Sequence, residues 1–137
     1  MKIWTLGAKV PDLDREIAFV EAMGGRLVLD DRIPFGGTEF RVPLLRLGDK
    51  YLHIAEEMVY ERRLAEPLRP GLCHVVFQVD DLGGARNTAL AAGAAEIAPV
   101  SRVSAGFGSR DVVFLRSPGG ILFELIHVVE NAVPELP

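Results

Sequence analysis

Two histidines and a glutamate, His53, His74 and Glu124, are the side chains of this sequence best suited to chemistry. Two neutral imidazoles and one carboxylate form a common three-ligand set for a divalent ion, and a site with only three protein ligands leaves positions open for water and substrate. Such a set accepts Zn, Mn, Fe, Co or Ni, and the ion can act as a Lewis acid on a carbonyl or on a pair of adjacent oxygens. The bland alternative makes both histidines pocket groups with ordinary hydrogen bonds and Glu124 a relic. Tyr51 lies two positions before His53, on the same strand face, where its phenol offers proton transfer, a ligand hydrogen bond or simple packing. Arg41 is a candidate partner for an anionic substrate or a solvated surface cation. Phe107, between Gly106 and Gly108, is a candidate mobile flap or the anchor of its own loop. Cys73 reads as core on the helix-facing side and Arg62-Arg63 as solvated charge.

Composition bounds what such a site can serve. At 137 residues, 49% hydrophobic and 25% charged, the chain is the size of one globular domain with one substantial core. Fifteen basic against 19 acidic residues leave a net charge of -4, which disfavours nucleic acid and anionic membranes as partners. No apolar run approaches the roughly 18 residues that span a bilayer, and Met1-Lys2-Ile3-Trp4 starts a strand pattern instead of a secretory segment. With a single cysteine, a cytoplasmic location is the simplest expectation.

The elements that must position these residues come in two copies. Val10-Pro11-Asp12-Leu13 lies over Val79-Asp80-Asp81-Leu82, and the same shift places Gly24 over Gly93 and Thr5 over His74. After a two-residue insertion, Gly48 lies over Gly119, Leu52 over Phe123, His53 over Glu124 and Ile54 over Leu125. The repeat covers residues 1–57 and 71–130, with 58–70 as connection and 131–137 as a tail. Each copy reads as strand, helix and three strands. In the first, a strand over Ile3–Val10 leads to a helix capped by Asp12, with Leu13, Ile17 and Val20 on its apolar face and Gly24-Gly25 as its stop. Strands follow at Leu27–Leu29, Phe40–Leu47 and Tyr51–Ala55. The second copy repeats the order with a strand at Leu72–Val79, a helix at Leu82–Ala92, and strands at Ile97–Val103, Asp111–Arg116 and Ile121–Val128.

Strand alternation then sorts the faces. Val75, Phe77 and Val79 share the side a helix should cover, as do Leu52 with Ile54 and Phe123 with Leu125. The opposite side carries His74, Val76 and Gln78, then Tyr51, His53 and Ala55, then Leu122, Glu124 and Ile126. All three candidate ligands therefore point away from the helices, at equivalent ends of the repeat.

With Val10-Pro11-Asp12-Leu13-Asp14 entering a helix that ends at Gly24, and Arg116-Ser117-Pro118-Gly119-Gly120-Ile121-Leu122-Phe123-Glu124-Leu125 closing the second copy, the sequence resembles the vicinal oxygen chelate superfamily. That superfamily includes glyoxalase I, extradiol dioxygenases, methylmalonyl-CoA epimerase, and the fosfomycin and bleomycin resistance proteins. The resemblance spans both copies and implies an α+β fold in which two βαβββ modules curl a mixed sheet around a pocket, with the helices outside. It implies ligand positions at Thr5, His53, His74 and Glu124; with the residues placed on the side away from the helices, the pocket is expected to take in Thr5, Arg41, Gln78, Phe107 and Leu122. Thr5 departs from the His, Gln or Glu usual in metal-dependent members, and Ser117 from the usual Asp. Extradiol cleavage in the family also asks for a further histidine near the bound oxygen, and the remaining one, His127, falls on the opposite face from Glu124.

Two functions from different classes follow. One is a metal-dependent isomerase, lyase or dioxygenase acting on a small oxygenated metabolite. The other is a metal-free small-molecule binding protein of the bleomycin-resistance type, for which Thr5 speaks. A purely accessory module would instead show a pocket too small or closed for a ligand. A homodimer is expected in either case, because curved sheets of this family commonly pair and an unpaired edge strand invites association.

Overall fold

The computed structural model describes residues 1–137. The first module opens with β1 (Lys2–Lys9) and α1 (Leu13–Ala22). Asp12 caps that helix by accepting the Arg15 amide at 3.1 Å, and Glu56 accepts the Leu13 amide at 3.1 Å, so two otherwise unpaired donors are satisfied. The helix stops at Gly24, whose φ of +94° suits a residue without a side chain. β2 (Arg26–Leu29), β3 (Arg32–Phe35), β4 (Thr38–Arg41), β5 (Leu44–Leu47) and β6 (Lys50–Ala55) complete the module. The second module holds β7 (Gly71–Gln78), α2 (Leu82–Ala91), β8 (Ala95–Ala105), β9 (Gly108–Arg116) and β10 (Leu122–Asn131). Asp81 caps α2 by accepting the Gly84 amide at 3.0 Å, as Asp12 caps α1.

Eight strands form one mixed sheet in the order β2-β5-β6-β1-β7-β10-β9-β8. β1 and β7 pair antiparallel at its centre, and each pairs in parallel with the last strand of its own module. The repeat is kept rung by rung. Leu6↔Leu52, Gly7↔His53 and Ala8↔Ile54 in the first module become Val75↔Phe123, Val76↔Glu124 and Phe77↔Leu125 in the second.

The helices lie on one side of the sheet, as the alternation requires. Under α1, Leu13, Ile17 and Val20 pack on Leu45 and Ile54; under α2, Leu82 packs with Val79, Val113, Leu115 and Leu125. The concave side carries the largest core, 17 buried residues drawn from both modules and the connection between them. No helix is long and apolar enough to cross a membrane.

The modules differ in their middle strands. A single strand is expected over Phe40–Leu47, but the chain divides it at Val42-Pro43, and β3 and β4 form a separate two-stranded ribbon. Pro43 has no amide to give a neighbouring strand, which favours a break there. Asp31 fixes the ribbon at its base. Its carbonyl accepts the Val42 amide at 2.9 Å, and its Oδ1 accepts the amides of Arg32 at 2.9 Å and Gly106 at 3.0 Å. The last contact ties the ribbon to the β8–β9 turn. In the second module the same region is an unbroken hairpin, longer than the expected strands. The connection is held by buried Glu61, which pairs with Lys9 and accepts the amides of Met58 and Leu68.

Candidate functional site

β6, β7 and β10 carry His53, His74 and Glu124 to the wall of one cavity of about 50 Å³ on the concave side. The remaining wall is mostly apolar and aromatic, including Trp4, Phe35, Tyr60, Phe107 and Phe114, with Arg110 as its one cation. That volume admits an ion with a few waters, not an organic metabolite. A second, open cavity of about 500 Å³ lies beside it, lined by Lys2, Lys50, Tyr51, Gln78 and the 134–137 tail. Trp4 and Arg110 line both cavities and so form the seam between them.

Burial controls the protonation of the three candidate ligands. It holds His53 down to about 3, helped by the charges of His74 and Arg110, and His74 down to about 4. Both rings are therefore neutral near pH 7 and have a lone pair to give. Burial pushes Glu124 up to about 8, against the opposing pull of Arg110. His53 Nε2 is buried with no hydrogen-bond partner. His74 Nδ1 lies 2.8 Å from the Tyr60 hydroxyl, and if it donates there, Nε2 is left as the free acceptor. Tyr60 is itself raised by burial and stays a neutral phenol.

This donor set fits a divalent ion: an orphaned imidazole nitrogen, a second neutral imidazole and a carboxyl costly to ionise without a cation nearby. The donors are not yet gathered, since no three His, Cys, Asp or Glu side chains in the chain stand close enough to share one ion.

Two irregularities in the β1–β7 pairing shape the site. The register slips between Ile3 and Thr5, leaving Trp4 as an extra residue, and its indole lines the cavity. Thr5 does not line it. Thr5 is 1% exposed and its hydroxyl donates to the neighbouring Leu6 carbonyl at 3.1 Å. A second slip, where Gly7 faces His74 and Ala8 faces Leu72, leaves Cys73 extra on β7. Cys73 consequently packs against the concave core instead of the helix side, with Sγ 3.3 Å from the Gly7 carbonyl and 3.6 Å from His74 Nδ1. Burial pushes its thiol up, which leaves it a poor nucleophile. Gly7 is required here because a Cβ would lie 2.1 Å from the His74 ring.

The other sequence candidates spread out. Tyr51 is buried and donates to the Pro134 carbonyl at 2.6 Å, on the outer-cavity side. Gln78 also lines the outer cavity, and Leu122 packs in the concave core without reaching the inner wall. Arg41 is at neither cavity, because Asp30 and Asp14 hold its guanidinium at 2.9 Å on the surface. Phe107 does line the inner cavity, but as an anchor and not a flap: it is 4% exposed and its carbonyl accepts the Ala132 amide at 2.9 Å. His127 lies outside, 3.3 Å from the Val79 carbonyl.

Sequence reasoning missed Trp4, Tyr60 and Arg110. Only Arg110 left a readable trace, since it alternates with Val112 and Phe114 on one face of β9 and so marks a buried cation.

No protein-family model matches this chain, and no curated protein matches it in sequence. Solved structures do match. A variant methylmalonyl-CoA epimerase from Streptomyces coelicolor, in complex with 2-nitronate-propionyl-CoA, superposes with a TM-score of 0.69 at 20% identity over 98% of this chain and 99% of its own. A methylmalonyl-CoA epimerase in complex with methylmalonyl-CoA and NH4+ gives 0.68 at 20% identity, covering 97% and 98%. The methylmalonyl-CoA epimerase from Mycobacterium tuberculosis gives 0.67 at 19% identity, covering 93% and 88%. Likeness at such low identity speaks for architecture, and on that ground this chain has the glyoxalase-type fold of the vicinal oxygen chelate superfamily, to which those epimerases belong.

Proposed function

We propose that this chain is a divalent-metal-dependent enzyme of the vicinal oxygen chelate type, an isomerase acting on a small oxygenated metabolite, with His53, His74 and Glu124 as its ligands. One observation carries the reading: two neutral imidazoles, one of them with an unpartnered Nε2, and a buried carboxyl come from three separate strands to line a single chamber. The epimerase neighbours, two of them bound to CoA derivatives, support isomerisation over lyase or dioxygenase chemistry. When bound, the ion would supply Lewis-acid polarisation of a substrate carbonyl, stabilising negative charge that develops on oxygen. The chain's own groups have separate tasks. Tyr60 orients the His74 ring, Glu124 gives up its proton as the cation arrives, and the aromatic wall excludes bulk water. Substrate enters from the outer cavity, because the inner chamber has room for little beyond the ion and its waters. Dimerisation belongs to the same proposal, with β2 and β8 as the free sheet edges.

A metal-free binding protein is the second reading. Trp4 and Arg110 favour it, since they bring an indole and a fixed cation to the cavity. Metal analysis of untagged protein separates the two. We expect close to one equivalent of Zn, Mn, Fe, Co or Ni, lost in His74→Ala and in Glu124→Gln, with melting of the native protein raised by added metal. No bound metal after reconstitution, and no shift in melting, would leave the binding protein as the better account.

A further inference from the structure

We propose that Arg110 is the carboxylate anchor of this site, so that its ligand is a small carboxylate-bearing molecule entering from the outer cavity; this rests on the site described above but not on its metal. Arg110 is 1% exposed, and a buried guanidinium normally has an acidic partner. This one has none, as none of the ion pairs in the chain involves it. Its bonds go to neutral oxygens. Nη1 donates to the carbonyls of Glu130 at 2.6 Å and Ser109 at 3.2 Å, and Nη2 donates to Asn131 Oδ1 at 2.9 Å. Nε is buried and unpartnered.

The surroundings hold the group in place without neutralising it. The guanidinium carbon stands 5.2 Å from the Trp4 ring centre and 5.0 Å from that of Phe107. Burial lowers its pKa, so the uncompensated charge is costly where it stands. Glu124 is the acid that acts on it electrostatically, yet it forms no ion pair with it and is held towards its neutral form by burial. Nε and the adjacent Nη2 form the edge of a guanidinium that matches the two oxygens of a carboxylate, and here Nε on that edge is an idle donor. Because Arg110 lies at the seam, a ligand whose carboxylate is bound to it has its remaining atoms in the outer cavity, among Lys2, Lys50 and Gln78 and also Asp49 and Glu135.

Trp4 is the only tryptophan of the chain and stacks on this guanidinium, so its fluorescence reports the site. The experiment titrates EDTA-treated protein with isobutyrate and with isobutyramide, which share shape but not charge. We expect a saturable change in Trp4 emission with isobutyrate, none with isobutyramide, and a loss of at least about tenfold in affinity in a folded Arg110→Lys variant. Equal responses to both probes, no response to either, or unchanged isobutyrate affinity in Arg110→Lys would overturn the proposal. If Arg110→Lys fails to fold, the comparison of the two probes on the native protein still decides. Metal content is measured separately on untreated protein. A metal-free protein that discriminates the probes keeps this inference and loses the metal, whereas a metalloprotein that does not discriminate loses this inference alone.

Discussion

Three titrating side chains pull the stability of the metal-stripped protein in opposite directions. His53 and His74 have folded values near 3 and 4 against an ordinary 6.5, so the unfolded chain takes up protons first as pH falls, and their contribution is full above 6.5 and lost below it. Glu124 has a folded value near 8 against an ordinary 4.5, so its contribution is full below 4.5 and lost as pH rises towards 8. Between 4.5 and 6.5 the two histidines outweigh the one glutamate; above 6.5 the glutamate acts alone. Urea midpoints measured across pH should therefore peak near about 6.5, and Glu124→Gln should flatten the decline on the alkaline side. A wild-type plateau reaching pH 9 would be incompatible with a buried, strained Glu124. That His53, His74 and Glu124 share the concave side was legible from strand alternation and their placement in the repeat. The residues around them were not, because Trp4 reaches the cavity through a register slip that alternation cannot anticipate, and Tyr60 comes from a connection with no periodic pattern.

At the scale of elements, the β3–β4 ribbon reaches across to the second module in addition to the central β1–β7 pairing, and Asp31 is its clasp. Asp31→Ala removes the acceptor for two amides and should cost about 1–3 kcal/mol. Hydrogen exchange should rise at the Ile33 and Phe40 amides and stay unchanged in β10; uniform protection would show that packing alone holds the ribbon. The helices, the Asp12 cap and the strand order of the second module could be read in advance, since capping and apolar spacing are local signals. The ribbon could not. Phe40–Leu47 carries the composition of one strand, and what divides it is Pro43 together with a clasp formed 75 positions away in sequence.

Across the whole molecule, the concave core joins Ile33, Phe40 and Leu44 of the first module to Val76, Phe114 and Ile126 of the second, with Met58 and Tyr60 of the connection between them. Neither half retains that core alone. Unfolding followed by far-ultraviolet circular dichroism and by Trp4 fluorescence should give one coincident transition, and two separated midpoints would mean that the modules are independently stable. Lys2 and Pro137 border the same outer cavity, while Glu66 and Pro67 are exposed in the segment between modules. Splicing residues 137 and 2 through a short bridge and opening the backbone at Glu66-Pro67 would make a circular permutant that reads the same sheet in the opposite module order. A folded permutant would show that the architecture prescribes which strands lie side by side but not which half the ribosome makes first; a permutant that fails to fold would tie the fold to the natural order.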